Sequence, residues 1–312
     1  MPDPRRPSAA LYGAIETGGT KVDCSLTRGL DEVLASERFA TTTPEDTFSR
    51  IIEFFNANEA THGRVAAFGM AAFGPLDLDP RSSGYGHLQA TPKPGWSHYD
   101  LLAPLRERFA APIQLDTDVN AAALAEWDHR AGSGLSSLVY VTVGTGIGAG
   151  AVMAGRALQG PWHPEMGHIR VPRHPRDQDF PGVCPFHRDC LEGLATGPAI
   201  VARYGRQMSE MLADEGAREI IASYLGVLAA NITLMLVPEC IVFGGGVMVG
   251  GALLPDIRRA LSSLLAGYVQ HALLAGSLEK FIVGPALGER SGIRGAMLLA
   301  AAAHRGIDAC AG

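Results

Sequence analysis

Residues 11–15 form an apolar run that breaks at Glu16-Thr17-Gly18-Gly19-Thr20-Lys21 and resumes over residues 22–26, which predicts a β-hairpin with a glycine tip. A second hairpin is predicted where residues 138–143 lead through Gly144-Thr145-Gly146-Ile147-Gly148 into residues 149–153. Between them, residues 45–60 place Phe48, Ile51, Ile52, Phe54 and Phe55 at near-helical spacing, and residues 65–73 read as a buried strand. The stretch 77–96, rich in Pro, Gly and Ser, reads as a loop. A short strand at 113–115 runs into Asp116-Thr117-Asp118, and an alanine-rich helix follows over 120–129. Helices are expected over about 197–237, then a strand at 240–243 meeting Gly244-Gly245-Gly246, and a last helix over 292–304. The two halves share one plan of strand, threonine-bearing glycine turn and strand, which points to duplicated α/β lobes facing one cleft.

At 312 residues the chain is too long for one small core, which fits two lobes with a substrate cleft between them. With 26 Lys+Arg against 32 Asp+Glu and a formal net charge of -6, the surface holds no general attraction for nucleic acid or anionic lipid. A small-molecule partner fits better. Residues 220–238 lack charge over roughly the length of a membrane span, yet Ser223, Asn231 and Thr233 interrupt them, so a buried helix is expected and no membrane association. The first ten residues hold two arginines, but Glu16, Lys21 and several glycines break the segment after them, and no export signal is read. Five cysteines, an odd number, do not make an extracellular disulfide framework, and a reducing cytoplasm is expected. Cys24 and Cys240 lie in apolar strands and are expected in the core, and Cys310 in a frayed tail.

Glycine turns after strands let backbone N–H groups approach phosphate oxygens, since no Cβ stands in the way. Three such segments occur in order: Gly18-Gly19-Thr20-Lys21, Gly144-Thr145-Gly146 and Gly244-Gly245-Gly246. None has the spacing of a P-loop or opens a helix as a dinucleotide fingerprint does, which argues against both chemistries. Phosphoryl transfer to a hydroxyl needs a carboxylate that orients the alcohol and takes its proton, and Asp118 at a strand-to-helix junction is the candidate. Its plainer role would be a helix N-cap. Cys184-Pro185-Phe186-His187-Arg188-Asp189-Cys190 sets three metal-ligand side chains within seven positions, a zinc pattern against which the rival is a Cys184–Cys190 disulfide. The fourth ligand is open among His163, His168 and His174.

The order of the glycine segments resembles the sugar kinase, actin and Hsp70 superfamily, and the stretch LDTDVNAAALAEW resembles the catalytic segment of the ROK family, usually Asn-Asp-Ala-Asn. The resemblance runs from Gly13 to about Ala302. It implies an α/β fold of two ribonuclease-H-like lobes with an interlobe active-site cleft. Residues 1–118, completed by a C-terminal helix at about 290–312, would be the first lobe, and 119–289 the second, with a zinc-binding insertion. Asp118 would be the catalytic base, and Asn120, Glu165, Glu192 and Thr117 the sugar contacts. Gly18, Gly19, Thr20, Lys21, Thr142, Gly144, Thr145, Gly146, Gly244, Gly245 and Gly246 would hold ATP, with Glu16 helping to place Mg²⁺. Glu165-Met166-Gly167-His168 is similar to the segment that precedes the cysteine cluster in zinc-binding members, which selects His168 to join Cys184, His187 and Cys190 around a structural Zn²⁺.

Thr117 in place of the usual asparagine, His187 amid the cysteines, and Thr91-Pro92-Lys93-Pro94-Gly95-Trp96 resemble the family's fructokinase branch. In that loop Trp96 either packs or touches sugar. The implied reaction is ATP-dependent phosphorylation of a hexose at its 6-hydroxyl, fructose giving fructose 6-phosphate, by a cytoplasmic homodimer. Mannose, glucose and N-acetylmannosamine kinases are the rivals within the family, and a non-catalytic sugar-sensing repressor the rival outside it. A repressor would need a DNA-binding helix-turn-helix, and about a dozen residues precede Gly13, too few to build one.

Overall fold

The computed structural model describes residues 10–160 and 162–306, so Cys310 and the first nine residues lie outside the described residues. In chain order the strands are β1 (Leu11–Thr17), β2 (Lys21–Arg28), β3 (Glu32–Ala40), β4 (Ala67–Ala72), β5 (Ile113–Thr117), β6 (Ser137–Val143), β7 (Ile147–Met153), β8 (Arg156–Ala157), β9 (Ile241–Gly244) and β10 (Ile282–Val283). The helices are α1 (Pro44–His62), α2 (Ala103–Arg108), α3 (Asp118–Arg130), α4 (Leu191–Ala195), α5 (Gly197–Tyr204), α6 (Glu215–Leu236), α7 (Leu254–Leu265) and α8 (Ser291–His304).

They build two mixed sheets. The first has the order β3-β2-β1-β4-β5, with β1, β2 and β3 antiparallel and β1, β4 and β5 parallel. The second has the order β10-β9-β6-β7-β8, in which β6 and β7 form the antiparallel hairpin and β6, β9 and β10 run parallel. By contacts the chain divides into two units. Residues up to Ala125, Arg156–His163 and those from Arg290 onward form the first, and Glu126–Gly155 with Pro164–Glu289 the second.

In the first unit α1 starts where Thr43 accepts the Asp46 N–H, with Pro44 at its first turn and acidic Glu45 and Asp46 against the N-terminal dipole. It buries Phe48, Ile51, Phe54 and Phe55 among Ile15, Val22, Leu26, Phe68 and Met70. Every residue of β4 is buried, as a central strand covered on both faces requires. The second cover is α8, which packs on β1, β4 and β5 through alanine and glycine. A Cβ on Gly69 would lie 1.9 Å from the Ala296 carbonyl oxygen, and one on Gly295 2.0 Å from that of Ala121. Backbone meets backbone there, and any side chain would push the layers apart.

In the second unit α6 is long and apolar enough to cross a membrane, but it buries Ile221, Leu225, Leu228 and Ala229 and packs on α4 and α7. It is a core helix, as the interrupting Ser223 and Asn231 suggest. Asp214 caps its start by accepting the Ala217 N–H.

Candidate active site and metal centre

The turn between β1 and β2 has each of its carbonyl groups tied back into the first unit. The Thr41 hydroxyl donates to the Gly18 carbonyl at 2.8 Å, the Lys93 ammonium to that of Gly19 at 2.6 Å, and the Thr41 N–H to that of Thr20 at 3.0 Å. Across a trans peptide the N–H of the following residue points opposite to the carbonyl. Holding the Gly18 and Gly19 carbonyls therefore turns the Gly19 and Thr20 N–H groups to the other side, and among the described residues neither has a partner. Two unpaired, fixed donors in succession make a receptor for an anion.

Asp118 opens α3, and the helix is capped by Thr117, whose hydroxyl oxygen accepts the Asn120 N–H at 3.1 Å. The plainer role for Asp118 is thus filled by its neighbour. Its Oδ1 accepts the Val119 N–H at 2.8 Å, and burial, opposed by the backbone N–H groups of Val119 and of Asp118 itself and aided by the charge of Asp116, pushes its pKa up to about 6. Glu16, at the end of β1, is raised to about 7, first by burial, then by Asp118 and Asp23, against the pull of Lys21 and Arg38. Its Oε2 is buried without a partner. Gly292 makes room for this carboxylate, since a Cβ there would fall 2.3 Å from it.

Thr117 and Asn120 are both buried. The Asn120 amide donates to Asp116 Oδ1 at 3.0 Å, which also takes the Thr117 N–H at 2.7 Å, while Asn120 Oδ1 has no partner. Trp96 is fully buried, with Phe48, Phe73 and Tyr99 around its ring and its Nε1 donating to the Thr42 carbonyl at 2.8 Å. It packs.

In the second unit the β6–β7 turn closes on itself, the Gly144 N–H donating to the Gly146 carbonyl at 2.9 Å and the Gly197 N–H to the Gly144 carbonyl at 2.8 Å. The Thr145 and Gly146 N–H groups have no partner among the described residues. Behind the turn, Glu192 Oε2 accepts the Ile147 N–H at 3.1 Å, and a Cβ on Gly146 would come within 2.9 Å of that oxygen. Thr142 pairs with Gly148 and Gly244 in the sheet. Gly244 is buried, where a Cβ would strike the Tyr140 hydroxyl at 2.7 Å, and Gly245 has a φ of 92° with the Val143 backbone against it. Packing alone demands glycine at these two, whereas Gly246 is open.

The ligand atoms of His168, Cys184, His187 and Cys190 all lie within 4.8 Å of one another. His168 Nδ1 is 3.8 Å from Cys184 Sγ and 3.5 Å from Cys190 Sγ, and His187 Nδ1 is 3.8 Å from Cys184 Sγ. Tetrahedral zinc with bonds of about 2.0–2.1 Å to nitrogen and 2.3 Å to sulfur sets ligands roughly 3.3–3.8 Å apart. The set fits. Both cysteines are free thiols, so the disulfide rival falls. The tight turn that gathers them exchanges backbone hydrogen bonds between Cys184 and Arg188, and Gly193 sits where a Cβ would lie 1.8 Å from the Arg188 carbonyl oxygen. His163 stands elsewhere, its Nε2 accepting the Leu76 N–H at 2.9 Å in the first unit, and His174 Nδ1 accepts the Arg176 N–H. His168 Nε2 lies 3.7 Å from Glu192 Oε1, so the carboxylate behind the second turn also leans on the cluster. Glu165 is exposed, its carbonyl accepting the His168 N–H.

Sequence reasoning passed over Thr41 and Lys93. The one available signal was a cation inside the Thr91–Trp96 segment; nothing local announces a partner 74 residues away.

The sequence model of the ROK family matches residues 12–303. A fructokinase of Zymomonas mobilis is 45% identical over 297 residues, covering 94% of this chain and 97% of the relative. A fructokinase of Lactococcus lactis is 41% identical over 281 residues, covering 90% and 93%. Among solved structures, the ROK hexokinase of Thermus thermophilus superposes with a TM-score of 0.72 at 27% identity, over 93% of this chain and 98% of that one.

Proposed function

The chain belongs to the ROK family, and from that premise we propose that it is a fructokinase, transferring the terminal phosphoryl group of ATP to the 6-hydroxyl of fructose. Near-full-length identity of 41–45% to the fructokinases of Zymomonas mobilis and Lactococcus lactis supports the sugar. The observation that carries the chemistry is Asp118. It is a carboxylate relieved of capping, raised to about 6 and so ionised at neutral pH, with more basicity than an ordinary aspartate. Asp118 accepts the proton as the sugar oxygen attacks phosphorus. The unpaired N–H groups of Gly19 and Thr20, and of Thr145 and Gly146, are suited to phosphate oxygens, with Gly246 free of packing demands beside them in sequence order. Asn120 Oδ1 and the carboxylates of Glu165 and Glu192 are acceptors suited to sugar hydroxyls, and Thr117 holds the helix start that presents Asp118.

Glu16, with a buried unpartnered oxygen beside Asp118, is the carboxylate fit to hold Mg²⁺, which when bound offsets phosphate charge. His168, Cys184, His187 and Cys190 would hold Zn²⁺ with a filled shell, a structural role that fixes the segments bearing Glu165 and Glu192. A cytoplasmic homodimer completes the reading.

A coupled assay with purified protein, Mg-ATP and fructose, mannose, glucose or N-acetylmannosamine tests it. Fructose should lead in kcat/KM by about tenfold or more, a margin of the size that pocket contacts supply. Equal turnover of an aldose, or none of any hexose, would overturn it.

A further inference from the structure

We propose that Lys93 is a positioning residue for the nucleotide-binding turn at Gly18–Thr20, acting through the Gly19 carbonyl and together with Thr41. The proposal rests on the kinase reading above, in which this turn receives phosphate. Three observations carry it. The Lys93 ammonium donates to the Gly19 carbonyl at 2.6 Å and reaches the Thr41 carbonyl at 3.5 Å. The Gly19 carbonyl and the Thr20 N–H belong to one planar peptide, so fixing the first aims the second. And the loop that carries Lys93 is itself immobilised three residues on, where buried Trp96 hydrogen-bonds the Thr42 carbonyl.

Gly19 and Thr20 are exposed, and around Gly19 a Cβ would meet nothing within 4 Å, so packing does not hold this turn. Without a donor on the Gly19 carbonyl, the peptide is free to rotate and present an oxygen, rather than an N–H, to an incoming phosphate. Lys93 prevents that and places positive charge behind the turn. Thr41 does the same for the preceding peptide by donating to the Gly18 carbonyl. The loop that resembles the fructokinase branch therefore serves the nucleotide through Lys93.

Lys93→Met, Lys93→Arg and Thr41→Val test this, read by calorimetric binding of Mg²⁺ with a non-hydrolysable ATP analogue, by the KM values for ATP and fructose, and by thermal melting. Lys93→Met should weaken analogue binding about tenfold, equivalent to about 1.4 kcal/mol, and raise the ATP KM in step. The fructose KM and the melting temperature should stay near wild type. Lys93→Arg, which keeps a cationic donor, should restore most of the affinity, and Thr41→Val should weaken it in the same direction. The proposal falls if Lys93→Met leaves analogue affinity within about twofold, or raises the fructose KM equally. It also falls if Thr41→Val has no effect while Lys93→Met does, because Lys93 would then be a direct phosphate ligand. Failure of the wild-type protein to bind the analogue or to turn over fructose would instead remove the kinase reading itself.

Discussion

The two glycine turns reach the same output by different means. In the first unit, the Gly19 and Thr20 N–H groups are freed because side chains and backbone from residues 41 and 93 hold the carbonyls. In the second, the turn closes through its own backbone and Gly197, and its support is a carboxylate, Glu192, that also touches the metal-ligand cluster. One turn is backed by a cation and the other by an anion. The first is open around its glycine, whereas the second has Glu192 pressed against Gly146. Similar sequence at a turn thus does not imply similar dependence on its surroundings, and the two should fail differently.

The largest expected effect leaves both turns intact. Asp118→Asn should lower kcat by about 10³-fold with ATP-analogue affinity nearly unchanged, within the range for a lost general base. A comparable loss of analogue binding would mean that the residue shapes the nucleotide site. Next in size, stripping metal with a chelator, or replacing Cys190 with Ser, should act on the second turn and not the first, through His168 and Glu192, and on the segments bearing Glu165 and Glu192. Metal analysis of untreated protein should give one zinc per chain. The stripped protein should lose about tenfold or more in kcat/KM, the scale of disturbed metal surroundings.

Alanine at Gly19 and at Gly146 sharpens the contrast. Gly19→Ala has open space and should leave the melting temperature alone while raising the ATP KM, whereas Gly146→Ala must displace Glu192 from the Ile147 N–H and should lower stability by roughly 1 kcal/mol, a lost hydrogen bond. Differential scanning calorimetry beside steady-state kinetics would separate them.

The smallest effect is electrostatic. Glu16 and Asp118 have pKa values raised above their unfolded values, so folding favours their protonated forms, and the stability they lend at low pH is lost as pH rises through about 6 and 7. Without Mg²⁺, Glu16→Gln should therefore raise the melting temperature by a few degrees at pH 8, with the gain vanishing near pH 4. Activity runs the other way. Below pH 6 kcat should fall about tenfold per unit as Asp118 takes up its proton.

Much of the architecture was legible because it is written locally. The apolar runs flanking Gly18-Gly19 and Gly144-Thr145-Gly146 became the two hairpins, and Cys184, His187 and Cys190 fall within one turn of chain. What escaped has physical reasons. Strand β3 lies at a sheet edge and buries only Phe39, so its residues carry no alternation to read. Helix α7 is a different matter, since Leu254, Ile257, Leu261 and Leu265 give a plain helical stripe that is legible in the sequence. The distinction between Thr117 as cap and Asp118 as a carboxylate not used as the cap is a matter of hydrogen-bond geometry, which spacing does not encode. Lys93 and Thr41 act across 74 and 23 residues, on carbonyl groups that every residue possesses.

The close seating of α8 on β4 bears on how the molecule is born. One face of the amino-terminal sheet is sealed by a helix that leaves the ribosome only after the entire second unit has been translated. Nascent chains must therefore carry an uncovered greasy surface through most of their synthesis, a window in which chaperone capture competes with aggregation.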